Sequence, residues 1–367
     1  MIDLSSVQDV CLRPFNRRRK PGLIGVDVGS RMIKLAQFTR TATTTKLTAL
    51  RLVPVTSGRE LTADGIEAGG IGESLDDVSI RQFGFKGSRA ACALPTSIAE
   101  PRSLQLPRAS EAELRQMVES ELKVDPATGS ETVVDLWSPD GTSGEEEMQK
   151  VSALAVRKNV AARCAEDLLA SRLQCEFLDG IPFAMARAVN LVDDDRTEPV
   201  ASLDWGHGSP LLTVSVNGEP RFSRVLRGCG FANVERATQK TLGTDWVQTA
   251  RLLTACGLAL DKTSHAHPAA VALRRTLTPE VDRLAEQIRR TISFLGIQQR
   301  AILPKRLWVF GGGGTIGGVG EELSRRLNLD CRSWGLRPDQ VDRRLGTLAH
   351  LSLFGVAAGL SLLMDQS

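Results

Sequence analysis

Three strand-like segments joined by short turns follow each other between Leu23 and Val55. Their apolar positions lie in the runs LIGVDVG, RMIKLAQFT and KLTALRLVPV. The first run stops near Asp27, a tight turn over Gly29 and Ser30 follows, and the next strand carries Lys34. An aspartate beside such a turn is suited to holding an anion or a metal ion, but it also occurs in ordinary hairpin turns. The rest of the chain has to decide between these two interpretations.

The segment after these strands has a different pattern. Residues 57–74 are rich in glycine and weakly patterned, which predicts a loop, and RAACALP then predicts a short buried strand. Residues 110–122 predict a helix, because Ser110 and Glu113 have the spacing of a capping box. Strands at TVVDLW and QKVSALAVRK and a helix at NVAARCAEDLLASRL follow. Residues 95–178 therefore form a predicted small α+β module, inserted into a larger frame.

A second series of strands begins at Val200 and repeats the order of the first. In VASLDWGHGSPLLTVSVNGEPRFSRVLRG a strand ends at Asp204, a glycine-containing turn follows, and Asn217-Gly218 predicts a hairpin. The strand RLWVF later leads into four glycines, Gly311 to Gly314. Helices are predicted in this half over residues 231–242, 245–256 and 279–299. Because the repeat lies about half a chain length after the first series, the sequence predicts two related domains that face each other.

The composition of the chain argues against a nucleic-acid partner, a disulfide framework and a membrane span. The 367 residues include 46 Lys and Arg against 43 Asp and Glu, and this net charge of +3 is too small to predict a nucleic-acid partner. Seven scattered cysteines without a CxxC pair are typical of reduced thiols. Residues 1–21 predict a basic tail that is solvated or weakly attracted to an anionic membrane. Because we find no apolar run of about 18 residues and no signal-peptide core, we expect a cytoplasmic protein.

The three glycine turns are suited to one shared chemistry. Glycine N–H groups can approach phosphate oxygens closely, serine hydroxyls add donors, and a lysine adds a point charge. Aspartates at the strand ends would orient a hydrated Mg²⁺ ion, which needs only one or two carboxylates. Each turn alone is more typical of an ordinary turn or a packing corner, but together they are much more specific. The predicted phosphate ligands are Gly29, Ser30, Lys34, Gly206, Gly208, Ser209, Gly311, Gly312 and Gly313, and the predicted metal ligands are Asp27 and Asp204.

In this order, the turns resemble the two phosphate loops and the adenosine loop of the actin, Hsp70 and sugar-kinase superfamily. FLDGIPFAMARAV, ahead of the second phosphate turn, is similar to the connecting helix of the PilM family, the actin-like type IV pilus assembly proteins. Further segments resemble the same family in the same order: LPRASEAELRQMVESEL, VSALAVRKNVAARCAEDLLASRLQ, EVDRLAEQIRRTISFLGIQQ and RLWVFGGGGTIGGVGEELSRRLNLD. The resemblance extends from about residue 22 to residue 362.

This resemblance implies an α/β fold of two actin-like (ribonuclease H-like) domains, with a nucleotide cleft between them and a small inserted α+β subdomain. The implied bounds are residues 22–94 and 179–199 for the first domain, 95–178 for the inserted subdomain and 200–367 for the second domain. The implied cofactors are ATP and Mg²⁺, with little or no hydrolysis and no catalytic residue. We interpret His207 as a turn residue. Since His207, Gly208 and Pro210 stand where the family is richer in threonine, a degenerate, structural pocket is the alternative.

The resemblance also implies a cytoplasmic scaffold at the inner-membrane face. Its implied partner is the cytoplasmic N-terminal peptide of a PilN-like inner-membrane protein, held by the inserted module and the first domain. Self-association is a further interaction that we consider, and we expect no nucleic acid. The alternative functions are a sugar or acetate kinase, for which we find no base-aspartate motif, and a cell-division protein of the FtsA kind. The latter would need a basic amphipathic C-terminal helix, which GLSLLMDQS does not resemble.

Overall fold

The computed structural model describes most of the chain. The described residues are 20–55, 61–75, 77–121, 132–137, 148–195, 197–258, 268–298, 302–346, 348 and 350–363. The predicted basic tail therefore lies outside the described residues, except for Lys20 and Pro21. Within the described ranges, none of the helices has both the length and the apolar character that crossing a membrane requires.

The described residues form strands and helices along the whole chain. The strands are β1 (Lys20–Val28), β2 (Met32–Arg40), β3 (Thr45–Pro54), β4 (Arg89–Ala93), β5 (Pro101–Pro107), β6 (Thr132–Trp137), β7 (Met148–Arg157), β8 (Gln174–Leu178), β9 (Val200–Asp204), β10 (Leu211–Val216), β11 (Glu219–Val225), β12 (Arg306–Phe310) and β13 (Asp330–Ser333). The helices are α1 (Ala63–Glu67), α2 (Gly70–Ser74), α3 (Asp77–Gln82), α4 (Glu111–Glu121), α5 (Lys158–Ala170), α6 (Ile181–Val192), α7 (Phe231–Leu242), α8 (Trp246–Ala255), α9 (Pro268–Gln298), α10 (Val319–Leu327) and α11 (Gly355–Ser361).

Five strands form the first sheet, in the order β3-β2-β1-β4-β8. β1, β2 and β3 are antiparallel neighbours, whereas β4 runs parallel to β1 and β8 runs parallel to β4. Residues 23–28 of β1 are all buried, because helices cover both faces of the sheet. Ile24, Val26 and Val28 share a core with α5, and α11 packs on the opposite face.

The second sheet repeats the first, strand for strand. Its order is β11-β10-β9-β12-β13, again with two antiparallel pairs followed by two parallel pairs. Residues of α7, α9 and α10 pack on one face, while α6 and α11 share an apolar core with Val200, Leu211 and Phe310 of this sheet. The predicted repeat of one supersecondary unit in two related α/β domains is confirmed.

A separate three-stranded antiparallel sheet, β5-β7-β6, lies between β4 and α5 in the sequence. Its small core consists of residues from the strands and α4, namely Leu106, Leu114, Val118, Val134, Val151 and Ala153. The Trp137 ring contacts the Phe183 ring of α6 edge-on, with centroids 4.6 Å apart. Arg157, at the end of β7, pairs with Glu67 of α1 at 3.0 Å. Aromatic and charged contacts thus attach this module to the first domain.

The packing divides the chain differently from the predicted bounds at the end of the insertion. The sequence assigned residues 95–178 to the inserted module, but β8 pairs with β4 in the first sheet. Val160, Cys164 and Leu168 of α5 belong to the core of the first sheet. The three-stranded sheet therefore ends at Arg157. Strand partners that are distant in sequence decide this boundary, and a local pattern does not contain them.

The end of the chain also belongs with the first sheet, although the predicted second domain was residues 200–367. A Cβ atom on Gly25 would lie 1.9 Å from the Ala357 carbonyl oxygen, so glycine lets α11 approach the backbone of β1. The Ser361 hydroxyl donates to the Leu23 carbonyl oxygen at 2.7 Å and accepts from the Phe38 N–H at 2.9 Å. α11 therefore packs against β1 on one side and against α6 on the other.

Two local predictions differ from the structure. Residues 57–74 were predicted as a loop, but α1 and α2 lie within this segment, and the N–H of Gly72 donates to Asp167 Oδ2 at 3.1 Å. The helix predicted over 279–299 begins earlier, at Pro268, and Pro279 lies inside it. Leu273 and Leu284, on either side of Pro279, both belong to the apolar core between the second sheet and helices α7, α9 and α10. Tertiary packing has overridden the local preferences of glycine and proline in both places.

Replacing Ser361 tests the seam between α11 and the first sheet. Ser361→Ala leaves the N–H of Phe38 and the carbonyl of Leu23 without this buried partner, and we expect a loss of about 1–3 kcal/mol in the free energy of unfolding. Urea denaturation measures it. Ser103→Ala, at an exposed strand position, is the control and should change the stability by less than about 0.5 kcal/mol. Equal stability of the two variants would contradict this role for Ser361.

Candidate functional site

The carboxyl ends of β1 and β9 bring charged side chains from the two sheets together. Asp27 lies opposite Lys34 in the β1–β2 register, and Lys34 Nζ is 3.0 Å from Asp27 Oδ2. Asp27 is buried, with 6% of its surface exposed. Asp204 is the last residue of β9 and acts electrostatically on Lys34. We call the region around these three side chains the cleft.

The charges in the cleft are incompletely balanced. Burial raises the pKa of Asp204 to about 6, and repulsion from Asp27 adds to this shift while attraction to Lys34 opposes it. Burial alone would lower the pKa of Lys34, but attraction to Asp27 and Asp204 and the hydrogen bond to Asp27 leave it raised. Lys34 is therefore protonated at neutral pH, and one ammonium group faces two carboxylates. A divalent cation would relieve the remaining negative charge.

The first turn leaves room for this ion pair. A Cβ atom on Gly29 would lie only 2.6 Å from Lys34 Nζ, so a larger residue would push the ammonium group away from Asp27. The N–H of Gly29 donates to the Met32 carbonyl oxygen at 3.1 Å and closes the turn. The carbonyl oxygen of Ser30 accepts from the N–H of Leu61 at 2.6 Å. The turn is thus anchored to the segment that leads into α1.

The second turn is fixed by the start of α7 and by Trp205. The N–H of Phe231 donates to the Gly206 carbonyl oxygen at 2.9 Å, and the N–H of Ala232 donates to that of His207 at 3.0 Å. Trp205 is fully buried, and its indole N–H donates to the Cys229 carbonyl oxygen at 3.0 Å. Gly208 is exposed at the tip of the turn, and a Cβ atom there would meet open space. Ser209 follows it before β10.

The third turn approaches the second from β12. Gly311 has φ +72°, and a Cβ atom there would lie 2.6 Å from Asp204 Oδ1, so both the backbone and the carboxylate require glycine. A Cβ atom on Gly312 would be 3.0 Å from the Phe231 ring. Gly313 instead faces the buried ring of Trp205, and its N–H donates to the Trp205 carbonyl oxygen at 3.0 Å. Gly313 therefore packs the turn against the core of the second domain.

The structure thus brings many of the predicted site residues together. Lys34 pairs directly with Asp27 and is attracted electrostatically to Asp204, and Gly29 and Gly311 provide the space that these side chains need. The described residues contain no cluster of three or more His, Cys, Asp or Glu side chains suited to a metal ion. Two carboxylates suit Mg²⁺, whose remaining ligands are normally water and phosphate oxygens. The donor set therefore fits Mg²⁺ that is brought by a phosphate ligand.

Sequence reasoning missed two charged residues at the edge of the cleft. Glu235 of α7 contacts both Arg31 of the first turn and His207 of the second. An acidic residue in a helix more than 200 positions from its arginine partner has no local signal. The position of Arg31, directly after the predicted phosphate turn, was the clue that the sequence did contain.

A family model described as Type IV pilus assembly protein PilM matches residues 25–334, a range that includes all three turns. The chain belongs to this family. No curated protein sequence gives a significant match.

A solved structure supports the same fold. A structure described as a PilM-PilN type IV pilus biogenesis complex matches with a TM-score of 0.72 and 21% identity, over 93% of this chain and 98% of that chain. Ethanolamine utilization protein EutJ from Carboxydothermus hydrogenoformans matches with a TM-score of 0.49 and 16% identity, over 94% and 89% of the two chains. The predicted family and its two-domain actin-like fold are confirmed by the family match and the first structure.

The raised pKa of Asp204 predicts a cost in stability at neutral pH. Because the pKa is about 6 in the folded protein against an ordinary 3.8, the folded state binds the proton more tightly. Stability therefore falls as pH rises from about 4 to about 6, and stays lower above that range. We expect Asp204→Asn to stabilise the protein by about 1–2 kcal/mol at pH 7.5 and by almost nothing at pH 4.

Thermal unfolding across this pH range measures the effect. Asp330→Asn is the matched control, since Asp330 is an exposed aspartate of the same sheet and pairs with Arg332 at 2.9 Å. This variant should gain no stability at pH 7.5. A destabilised Asp204→Asn protein at pH 7.5 would show that the carboxylate is well compensated, in conflict with the pKa assigned to it.

Proposed function

We propose that this protein is an ATP-binding scaffold of type IV pilus assembly, with ATP and Mg²⁺ held in the cleft. The observation that carries the proposal is the meeting of Asp27, Lys34 and Asp204 between glycine turns of a chain from the PilM family. Lys34 would attract phosphate oxygens, and the two aspartates would orient the hydrated metal ion. The glycine turns would let the phosphates approach the backbone.

Calorimetric titration with ATP in the presence of Mg²⁺ tests nucleotide binding. We expect binding by the wild-type protein and a loss of about tenfold or more in affinity for Asp204→Asn, because that variant removes a charge that orients the cation. The Asp330→Asn control should bind like the wild type, since Asp330 lies at the amino ends of the parallel strands, whereas Asp204 lies at their carboxyl ends. Absence of heat and of any thermal shift at millimolar ATP would overturn the proposal.

We further propose that the partner is a PilN-like inner-membrane protein, bound through its cytoplasmic N-terminal peptide. This places the scaffold at the inner-membrane face. The similar structure described as a PilM-PilN complex supports the choice of partner. The three-stranded module supports the choice of surface, because it carries none of the three glycine turns and none of the proposed nucleotide ligands. A disordered peptide would lose entropy on docking, so we expect modest affinity in solution.

A concave surface lies close to the joint between this module and the first domain. Residues of α2 and α5, together with Ala68, Gly69 and Leu75, line a cavity of about 460 Å³. Arg157, the last residue of β7, pairs with Glu67 of α1 beside it. We propose that the peptide binds across the module and this part of the first domain.

Removing the module tests the partner surface. Because α5 and β8 belong to the first domain, the deletion should cover residues 101–156 only, with a short Gly-Ser linker in their place. We expect ATP binding to survive and capture of a synthetic PilN-type N-terminal peptide to be lost, both measured by calorimetry. A second variant, Ala170→Trp, fills the cavity in the intact chain. It should weaken binding of the peptide and leave binding of ATP unchanged. If the deletion variant still captures the peptide at full affinity, the surface lies elsewhere.

A further inference from the structure

One carboxylate lies between the two turns that flank the cleft. Glu235 Oε2 is 3.2 Å from Nδ1 of His207 in the second turn and 3.6 Å from a guanidinium nitrogen of Arg31 in the first turn. The Glu235 and His207 side chains are mostly buried, with 20% and 12% exposed, while that of Arg31 is 47% exposed. A single acidic group therefore connects cationic or N–H-donating side chains from both domains.

The backbone fixes this arrangement. α7 begins against the second turn, because the N–H groups of Phe231 and Ala232 donate to the carbonyl oxygens of Gly206 and His207. Glu235 comes one helical turn later and so stands beside the His207 ring. Arg31 arrives from the other sheet at the end of the β1–β2 turn. The contact is built from the same two turns that we propose to bind phosphates.

We propose that Glu235 holds the place of the terminal phosphate of ATP in the nucleotide-free protein, and that Arg31 and His207 bind this phosphate when it displaces the carboxylate. Carboxylate and phosphate oxygens accept the same charge-assisted hydrogen bonds from guanidinium and imidazole groups. Two anions at one position repel each other, so the terminal phosphate and Glu235 compete. This inference rests on the proposed function and adds the residues that distinguish ATP from ADP.

Because of this competition, ADP and ATP have different effects on the contact between Arg31 and Glu235. ADP lacks the terminal phosphate, so it leaves the contact between Arg31 and Glu235 in place. ATP breaks that contact and replaces it with its own phosphate, which then joins the two turns. The contact across the cleft therefore depends on which nucleotide is bound.

Calorimetry with ATP and with ADP, each with Mg²⁺, tests this on the full-length protein. Arg31→Ala should lower the affinity for ATP about tenfold and change the affinity for ADP by less than about twofold, since only ATP reaches this side chain. Glu235→Gln keeps the shape of the side chain and removes its charge. It should therefore raise the affinity for ATP about threefold or more and leave the affinity for ADP unchanged. The double variant should have an ATP-to-ADP affinity ratio between those of the two single variants, because it loses the Arg31 contact but also removes the repulsion from Glu235 and frees His207 for the phosphate.

Arg236→Ala is the matched control. Arg236 lies next to Glu235 on α7, but it bonds to Asn233 and the Ala232 carbonyl within the helix. Its removal should change the affinities for the two nucleotides equally and by less than about twofold.

If the wild type binds neither nucleotide, the proposed function fails and this inference fails with it. If the wild type binds ATP, but Arg31→Ala and Glu235→Gln change the affinities for ATP and ADP to the same extent, only this inference is wrong. Glu235 then serves as a structural contact.

Discussion

The cleft depends on the approach of two like charges, one from each sheet. Asp27 and Asp204 stand at equivalent strand ends, and both act on the ammonium group of Lys34, which is too little positive charge for two carboxylates. The cost appears as the raised pKa of Asp204. A fold selected for stability alone would replace one of these aspartates with a neutral residue. Keeping both is consistent with a position that a cation neutralises when the site is filled.

Close backbone packing is what allows the two sheets to meet in this way. Gly25 admits α11 against β1, and Ser361 completes the hydrogen bonding of that seam. On the other side, the Trp334 ring stacks on Phe310 of β12, and its indole N–H donates to the Ala188 carbonyl oxygen of α6. α6 and α11 thus form one apolar layer that both sheets share. The relative position of the strand ends, and with it the cleft, follows from this layer.

The inserted module has an independent core and a limited attachment. Its apolar residues pack under α4, whereas the Trp137–Phe183 ring contact and the Arg157–Glu67 ion pair join it to the first domain. One guanidinium nitrogen of Arg227 donates to both carboxylate oxygens of Glu100, at 3.0 Å each, and this contact also connects the second domain to the residue just before β5. These polar contacts cross between domains and lie outside the cleft. Such a module can change its own surface while the actin-like core stays intact.

The sequence by itself determined the repeated strands, the three glycine turns, the helix over 231–242 and the candidate ligands, because each of these depends on local periodicity or turn chemistry. Local signals also suggested that Asp27 and Asp204 play equivalent roles. Only the tertiary structure decided that α11 packs on the first sheet, that β8 pairs with β4, and that Glu235 lies between two turns of different domains. Those contacts join residues far apart in the chain, and their energy comes from packing and charge that no single segment contains. The turns could be read from neighbouring residues, whereas their arrangement around one cleft required the folded chain.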